Sequence, residues 1–169
     1  MTWWRPAYVG LGSNLGEPAQ QLREACKRLG ALPATRLVLV SPFYRSRPWG
    51  PIAQPDFVNA VAGILTQLEP RAVLDGLRAI EAALGRPAAH ERWGPRIIDL
   101  DLVSYAHESR ADPQLTLPHA GVVERNFVLY PLADIAPDLD LPGLGRVAEL
   151  AGRLTTEGLT RLEGGGGSL

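Results

Sequence analysis

Two acidic residues, Asp99 and Asp101, stand inside the otherwise apolar run Ile97-Ile98-Asp99-Leu100-Asp101-Leu102-Val103. Side chains alternate along a strand, so both carboxylates project to one side, about 6–7 Å apart at Cα, while Ile98, Leu100 and Leu102 take the other. Such a pair repels itself unless a cation or a basic group lies between its members. Magnesium carrying a polyphosphate suits the pair, because it takes one or two carboxylates together with phosphate oxygens and retained waters. Arg92 and Arg96, immediately upstream, add guanidinium groups that can meet phosphate oxygens. A solvated Asp-x-Asp strand with no ligand is the competing reading, and the two arginines weigh against it.

Other residues fit a flat heterocycle. Asn59 lies two positions after Phe57 and so on the same side of a strand, where its amide can read a ring edge or serve a purely structural hydrogen bond. Phe57 and Phe127 can sandwich such a ring or belong to the core. Trp49 and Trp93 sit among Pro and Gly outside any periodic pattern, where they either close over a ring or pin their own loops. His119, after Leu117-Pro118, and Arg125 are close enough in sequence to share a phosphate chain. His90 and His107 have no partner pattern, and neither His pairs nor Cys residues have zinc-ligand spacing. Gly10-Leu11-Gly12-Ser13-Asn14-Leu15-Gly16 lacks the third glycine of a dinucleotide fingerprint and any Gly-Lys-Ser/Thr, so it reads as a tight strand-to-helix turn.

These residues need elements to hold them. Tyr8 to Gly12 reads as a strand ending at Ser13-Asn14, whose side chains are expected to cap a helix beginning at Pro18. Leu22, Ala25, Cys26 and Leu29 mark the apolar stripe of that helix, which makes Cys26 a core thiol. Leu37 to Tyr44 and Phe57 to Leu68 read as strands. Between them, the prolines at 48, 51 and 55 make a long loop over 45–56. Val73, Leu77, Ile80 and Leu84 predict a second helix closed by Gly85. A second long loop runs from Gly85 to Arg96, and Ile97 to Tyr105 forms the next strand. The order βαββαβ predicts an α+β, ferredoxin-like sandwich with a mainly antiparallel sheet, helices on both sides and extra C-terminal elements. Those extras are a Leu115-Thr116-Leu117 strand, a helix near Phe127 to Ile135 and another from Arg146 to Leu154.

The 169 residues, 46% hydrophobic and 21% charged, suit one domain over 1–162 with a flexible Gly-rich tail over 163–169. Lys+Arg 17 against Asp+Glu 18 leaves no positive excess to grip a nucleic-acid backbone. A lone cysteine excludes an intrachain disulfide. No apolar run nears the roughly 20 residues of a membrane span, and Met1 to Pro6 lacks signal-peptide order. The expectation is a cytoplasmic monomer that acts on small molecules, with no nucleic-acid or membrane partner.

Between Tyr8 and about Pro137 the chain resembles the 6-hydroxymethyl-7,8-dihydropterin pyrophosphokinase family. The most specific block is Glu91-Arg92-Trp93-Gly94-Pro95-Arg96-Ile97-Ile98-Asp99-Leu100-Asp101. Supporting blocks are Gly12-Ser13-Asn14-Leu15, Phe43-Tyr44-Arg45-Ser46, Gly50-Pro51, Gln54 to Ala60, Leu117-Pro118-His119 and Arg125-Asn126-Phe127. The resemblance implies diphosphate transfer from ATP to the pterin hydroxymethyl group, with AMP leaving, as a step of tetrahydrofolate biosynthesis. It implies that Asp99 and Asp101 hold two magnesium ions and act in catalysis with Arg92 and Arg96. ATP would be met by Glu81, Arg92, Trp93, Arg96, Leu102, His119 and Arg125. The pterin would be met by Ser46, Arg47, Trp49, Phe57, Asn59, Trp93 and Phe127. Three positions depart from the family pattern: Ala88 replaces a loop arginine, Ala120 an aromatic, and Trp49 a smaller aliphatic. Two other readings stay open on the residues alone, an RNA-binding sheet and a different nucleotide-dependent phosphotransferase.

Overall fold

The fold was taken from a computed structural model, which describes residues 3–48, 50–85 and 97–163. The six-stranded main sheet is built on β1 (Arg5–Ser13) and β4 (Phe57–Thr66), which pair antiparallel from Arg5↔Thr66 to Ser13↔Val58. β5 (Asp99–Tyr105) lies on the far side of β1. β2 (Thr35–Val40) and β3 (Tyr44–Ser46) share the opposite side of β4. This is the antiparallel βαββαβ arrangement that the element order predicts. Helices α1 (Pro18–Gly30) and α2 (Pro70–Ala83) cover one face. The other face carries α3 (Asn126–Ile135) and α4 (Val147–Gly152), so helices do lie on both sides.

Alternation along the strands divides the core in two. Val9, Leu11, Ala60, Ala62, Ile64, Leu100 and Leu102 point toward α1 and α2, where they meet Leu22, Cys26, Leu29, Val73 and Leu77. Val61 and Val103 point the other way, toward Leu129, Leu132 and Leu150. Cys26 is buried as expected, and burial pushes its thiol pKa up to about 11.

Several boundaries differ from the sequence reading. The expected strand Leu37 to Tyr44 is broken into β2 and β3 at Ser41-Pro42-Phe43. Pro42 has no N–H to give a ladder. Ser41 bridges the gap: its N–H donates to the Val61 carbonyl at 2.9 Å, and its hydroxyl accepts the Val61 N–H at 2.9 Å. Gly10 and Gly12 lie within β1, as the strand reading over Tyr8 to Gly12 has them, and the turn toward α1 is taken by Gly16, with φ 64°. Neither Ser13 nor Asn14 caps α1, whose N-cap is Glu17. Asn14 is used across the chain, donating to Gln54 Oε1 at 2.9 Å and to the Pro55 carbonyl at 2.8 Å. That ties the loop before β4 to the end of β1.

The C-terminal third adds a hairpin of β6 (Arg110–Asp112) with β7 (Leu115–Leu117) and a second of β8 (Asp140–Leu141) with β9 (Gly145–Arg146). β10 (Leu159–Arg161) then joins the main sheet beside β3. β7 is legible from its Leu-Thr-Leu alternation, whereas β6, Arg-Ala-Asp, and β10, Leu-Thr-Arg, have no such pair of apolar residues flanking a polar one and left no sequence signal. Among the described residues no helix is long and apolar enough to cross a membrane.

Candidate active site

Asp99 and Asp101 leave β5 on the face turned toward α3, as the alternation requires. Across the ladder their register partners are Gly12 and Gly10, so no side chain stands between the carboxylates and the β1 backbone on that face. Added bulk at Gly12 has no room: a Cβ there would come within 2.9 Å of Asn59 Oδ1. The glycines form the bare floor of a cavity whose walls include Ser46, Arg47, Phe57, Asn59, Asp99, Asp101, Arg125 and Phe127. Phe57 and Phe127 are each half-buried in that cavity, and the Arg125 guanidinium lies 5.9 Å from the Phe127 ring centroid. Asn59 is buried and donates through Nδ2 to the Ser46 hydroxyl, a bond that fixes which edge its amide presents.

A second cavity lies on the other side of Asp101. Its walls include Arg78, Asp101, Leu102, Thr116 and His119. His119 is held twice. Its backbone N–H donates to the Val103 carbonyl at 2.9 Å, and its Nδ1 accepts the Gly121 N–H at 3.1 Å. With Nδ1 an acceptor, the neutral ring carries its proton on Nε2, which faces Asp101 at 3.9 Å. Burial, and next the Arg125 charge, hold the His119 pKa below the ordinary imidazole value.

Asp101 is the electrostatic centre. Burial and then the Asp99 charge push its pKa up to about 7, against the downward pull of Arg125 and Arg78. Its ion pair with Arg125 is long, at 3.8 Å. A carboxylate raised in this way, beside another on the same face, is a donor set that a divalent cation would relieve. Among the described residues no group of three or more His, Cys, Asp or Glu could enclose a metal. Two carboxylates alone fit magnesium that takes its remaining ligands from phosphate and water, and they do not fit a closed zinc site.

The structure therefore brings Ser46, Arg47, Phe57, Asn59 and Phe127 into the first cavity and Leu102 and His119 into the second. Asp101 is common to both, while Asp99 and Arg125 line the first. Trp49, Arg92, Trp93, Arg96 and the departure at Ala88 lie outside the described residues. Glu81 departs from the expectation that it faces a nucleotide. It is 4% exposed, with its carboxylate engaged by Arg78 and the Leu100 N–H at the α2–β5 junction. Sequence reasoning missed Arg78, which lines the second cavity. The available signal was an ion-pair spacing, Arg78 to Glu81, beside the apolar stripe of α2. It also missed Gly10 and Gly12 as a cavity floor, which their alternation with Val9 and Leu11 could have indicated.

Residues 8–137 match the family described as 7,8-dihydro-6-hydroxymethylpterin-pyrophosphokinase (HPPK). Similar proteins include the 2-amino-4-hydroxy-6-hydroxymethyldihydropteridine pyrophosphokinases of Pseudomonas aeruginosa, 49% identical, and Haemophilus influenzae, 44% identical. These alignments cover 93% and 92% of this chain and 96% and 97% of the relatives. A solved Plasmodium falciparum HPPK-DHPS, crystallised with pterin and p-hydroxybenzoate, shares the fold at a TM-score of 0.73 and 14% identity. That alignment covers 95% of this chain but 47% of the solved one, so this chain spans about half of it.

Proposed function

This chain belongs to the 7,8-dihydro-6-hydroxymethylpterin-pyrophosphokinase family, and from that premise we propose that its two cavities hold the two substrates of that reaction. The enzyme transfers diphosphate from ATP to 6-hydroxymethyl-7,8-dihydropterin, releasing AMP, in folate biosynthesis. The observation that carries the site assignment is the position of Asp101, which walls both cavities at once. A group bound in each would meet at that carboxylate.

In this reading the pterin lies on the glycine floor between Phe57 and Phe127, with its edge read by Asn59, Ser46 and Arg47. ATP occupies the second cavity beside Leu102 and His119, and Arg125 stands where the phosphate chain would reach the first. Arg92, Trp93 and Arg96 are assigned on the resemblance, as phosphate and ring contacts. Asp99 and Asp101 would hold two magnesium ions. Bound there, the metal supplies charge neutralisation for phosphate oxygens. The chain's own part is alignment: it presents the pterin hydroxyl to the β-phosphorus and keeps cationic groups near the charge that spreads over the transferred unit. His119 in its neutral form offers an Nε2 proton as a hydrogen-bond donor to an anionic oxygen. No side chain among the described residues is assigned as a general base.

The reading takes residues 1–162 as one pyrophosphokinase domain with a Gly-rich tail over 163–169. In the same reading the protein acts as a monomer on small molecules in the cytoplasm. The test is incubation with ATP, magnesium and the hydroxymethyl-dihydropterin: pterin diphosphate and AMP appear together, without ADP. Pterin-dependent ADP formation, or no AMP above the pterin-free control, would overturn it. Asp99→Ala and Asp101→Ala are each expected to lower kcat by about 10³-fold or more, corresponding to some 4 kcal/mol of transition-state stabilisation, while thermal unfolding stays cooperative.

A further inference from the structure

Among the described residues β5 ends the sheet and pairs with β1 on one side only, so its outward backbone groups require other partners. At Leu100, between Asp99 and Asp101, both of those groups are taken by side chains of α2. The Leu100 N–H donates to Glu81 Oε2 at 2.8 Å. The Leu100 carbonyl accepts from Arg78 Nη1 at 2.9 Å, and the same nitrogen donates to Glu81 Oε1 at 2.7 Å. Together the two side chains imitate one rung of a neighbouring strand. A buried carboxylate is tolerated when it is paired and hydrogen-bonded, and Glu81 is both.

An edge strand carrying two like charges on one face is pushed out of line by their repulsion, and an error of about 1 Å at a reacting centre costs on the order of 10²-fold in rate. We propose that Arg78 and Glu81 are positioning residues that clamp Leu100 and thereby hold Asp99 and Asp101 in register at the junction of the two cavities. The inference rests on the reading of those aspartates as the metal-holding pair. It gives Glu81 a task that needs no contact with the nucleotide.

The full chain with Glu81→Leu, Glu81→Gln, Arg78→Met or Arg78→Lys tests this by three measurements. These are Leu100 amide exchange by NMR without ligands, Mn²⁺ binding by EPR with a non-hydrolysable ATP analogue, and steady-state kinetics. Glu81→Leu and Arg78→Met are expected to speed Leu100 exchange by about tenfold or more, weaken Mn²⁺ binding about fivefold or more, and lower kcat about tenfold or more. The pterin KM should stay within about twofold, because the ring cavity lies on the opposite face of the sheet from α2. Glu81→Gln keeps an acceptor for Leu100 and Arg78→Lys keeps cationic donors, so both should recover most of kcat. Faster Leu100 exchange with unchanged Mn²⁺ binding and kcat would overturn the proposal. So would Glu81→Gln and Arg78→Lys as impaired as their apolar counterparts. If Glu81→Leu does not fold, the Arg78 pair decides by the same readings. A wild-type chain that binds no Mn²⁺ beside the analogue removes the metal reading instead. The clamp is then upheld if Leu100 exchange and kcat change together across the variants, and overturned if they do not.

Discussion

At Asp101 the folded chain keeps a proton that the unfolded chain gives up, since the carboxyl pKa of about 7 stands well above the ordinary value near 3.9. The linkage sign follows: this group favours the folded state below about pH 4, and that advantage is lost as pH rises through about 7. Without divalent metal, Tm is therefore expected to fall by about 2 °C or more between about pH 5 and 8, and Asp101→Asn should flatten that slope. Scanning calorimetry in a chelating buffer reads both. Asn59 belongs to the same scale. Asn59→Leu removes the amide at the ring edge and leaves Ser46 without its donor, so the pterin KM should rise about 10-fold or more with the KM for ATP little changed, as initial-rate kinetics would show. The carboxylate pair, Asn59 and Phe57 were legible in the sequence because strand alternation fixes which residues share a side, whereas Phe127, on α3, reaches the same cavity only through the packing of that helix on the sheet. Glu81 was not, because whether a helix carboxylate turns to a ligand or to a neighbouring backbone depends on packing that spacing does not encode.

The break between β2 and β3 illustrates what elements add to residues. Apolar residues on both sides of Ser41-Pro42 suggest one strand from Leu37 to Tyr44, and the interruption depends on a proline that withholds a donor and a serine that substitutes for it. Ser41→Ala strands the buried Val61 N–H and is expected to destabilise the fold by about 1–3 kcal/mol in urea titration, without altering the cavities. Ser41→Thr keeps the acceptor and should cost less. The long loop over 45–56 was readable from its prolines, but its tether to Asn14 was not. That contact joins residues forty positions apart, and Asn14 at the end of a strand reads locally as a helix cap.

The main sheet carries a core on each face, and its strands are common to both. Leu77→Ala on the α2 side and Leu129→Ala on the α3 side should each cost about 2–5 kcal/mol and move a single unfolding transition. Two separated transitions would show that the faces melt independently. The βαββαβ order was visible because its helices and long strands are strongly periodic, whereas two- and three-residue strands such as β8 and β10 exist only through their partners. The covering of β5 at Leu100 has a consequence for solubility. An open sheet border invites a foreign strand to add itself rung by rung, and at this border the invitation is withdrawn, because α2 already fills the place such an intruder would take.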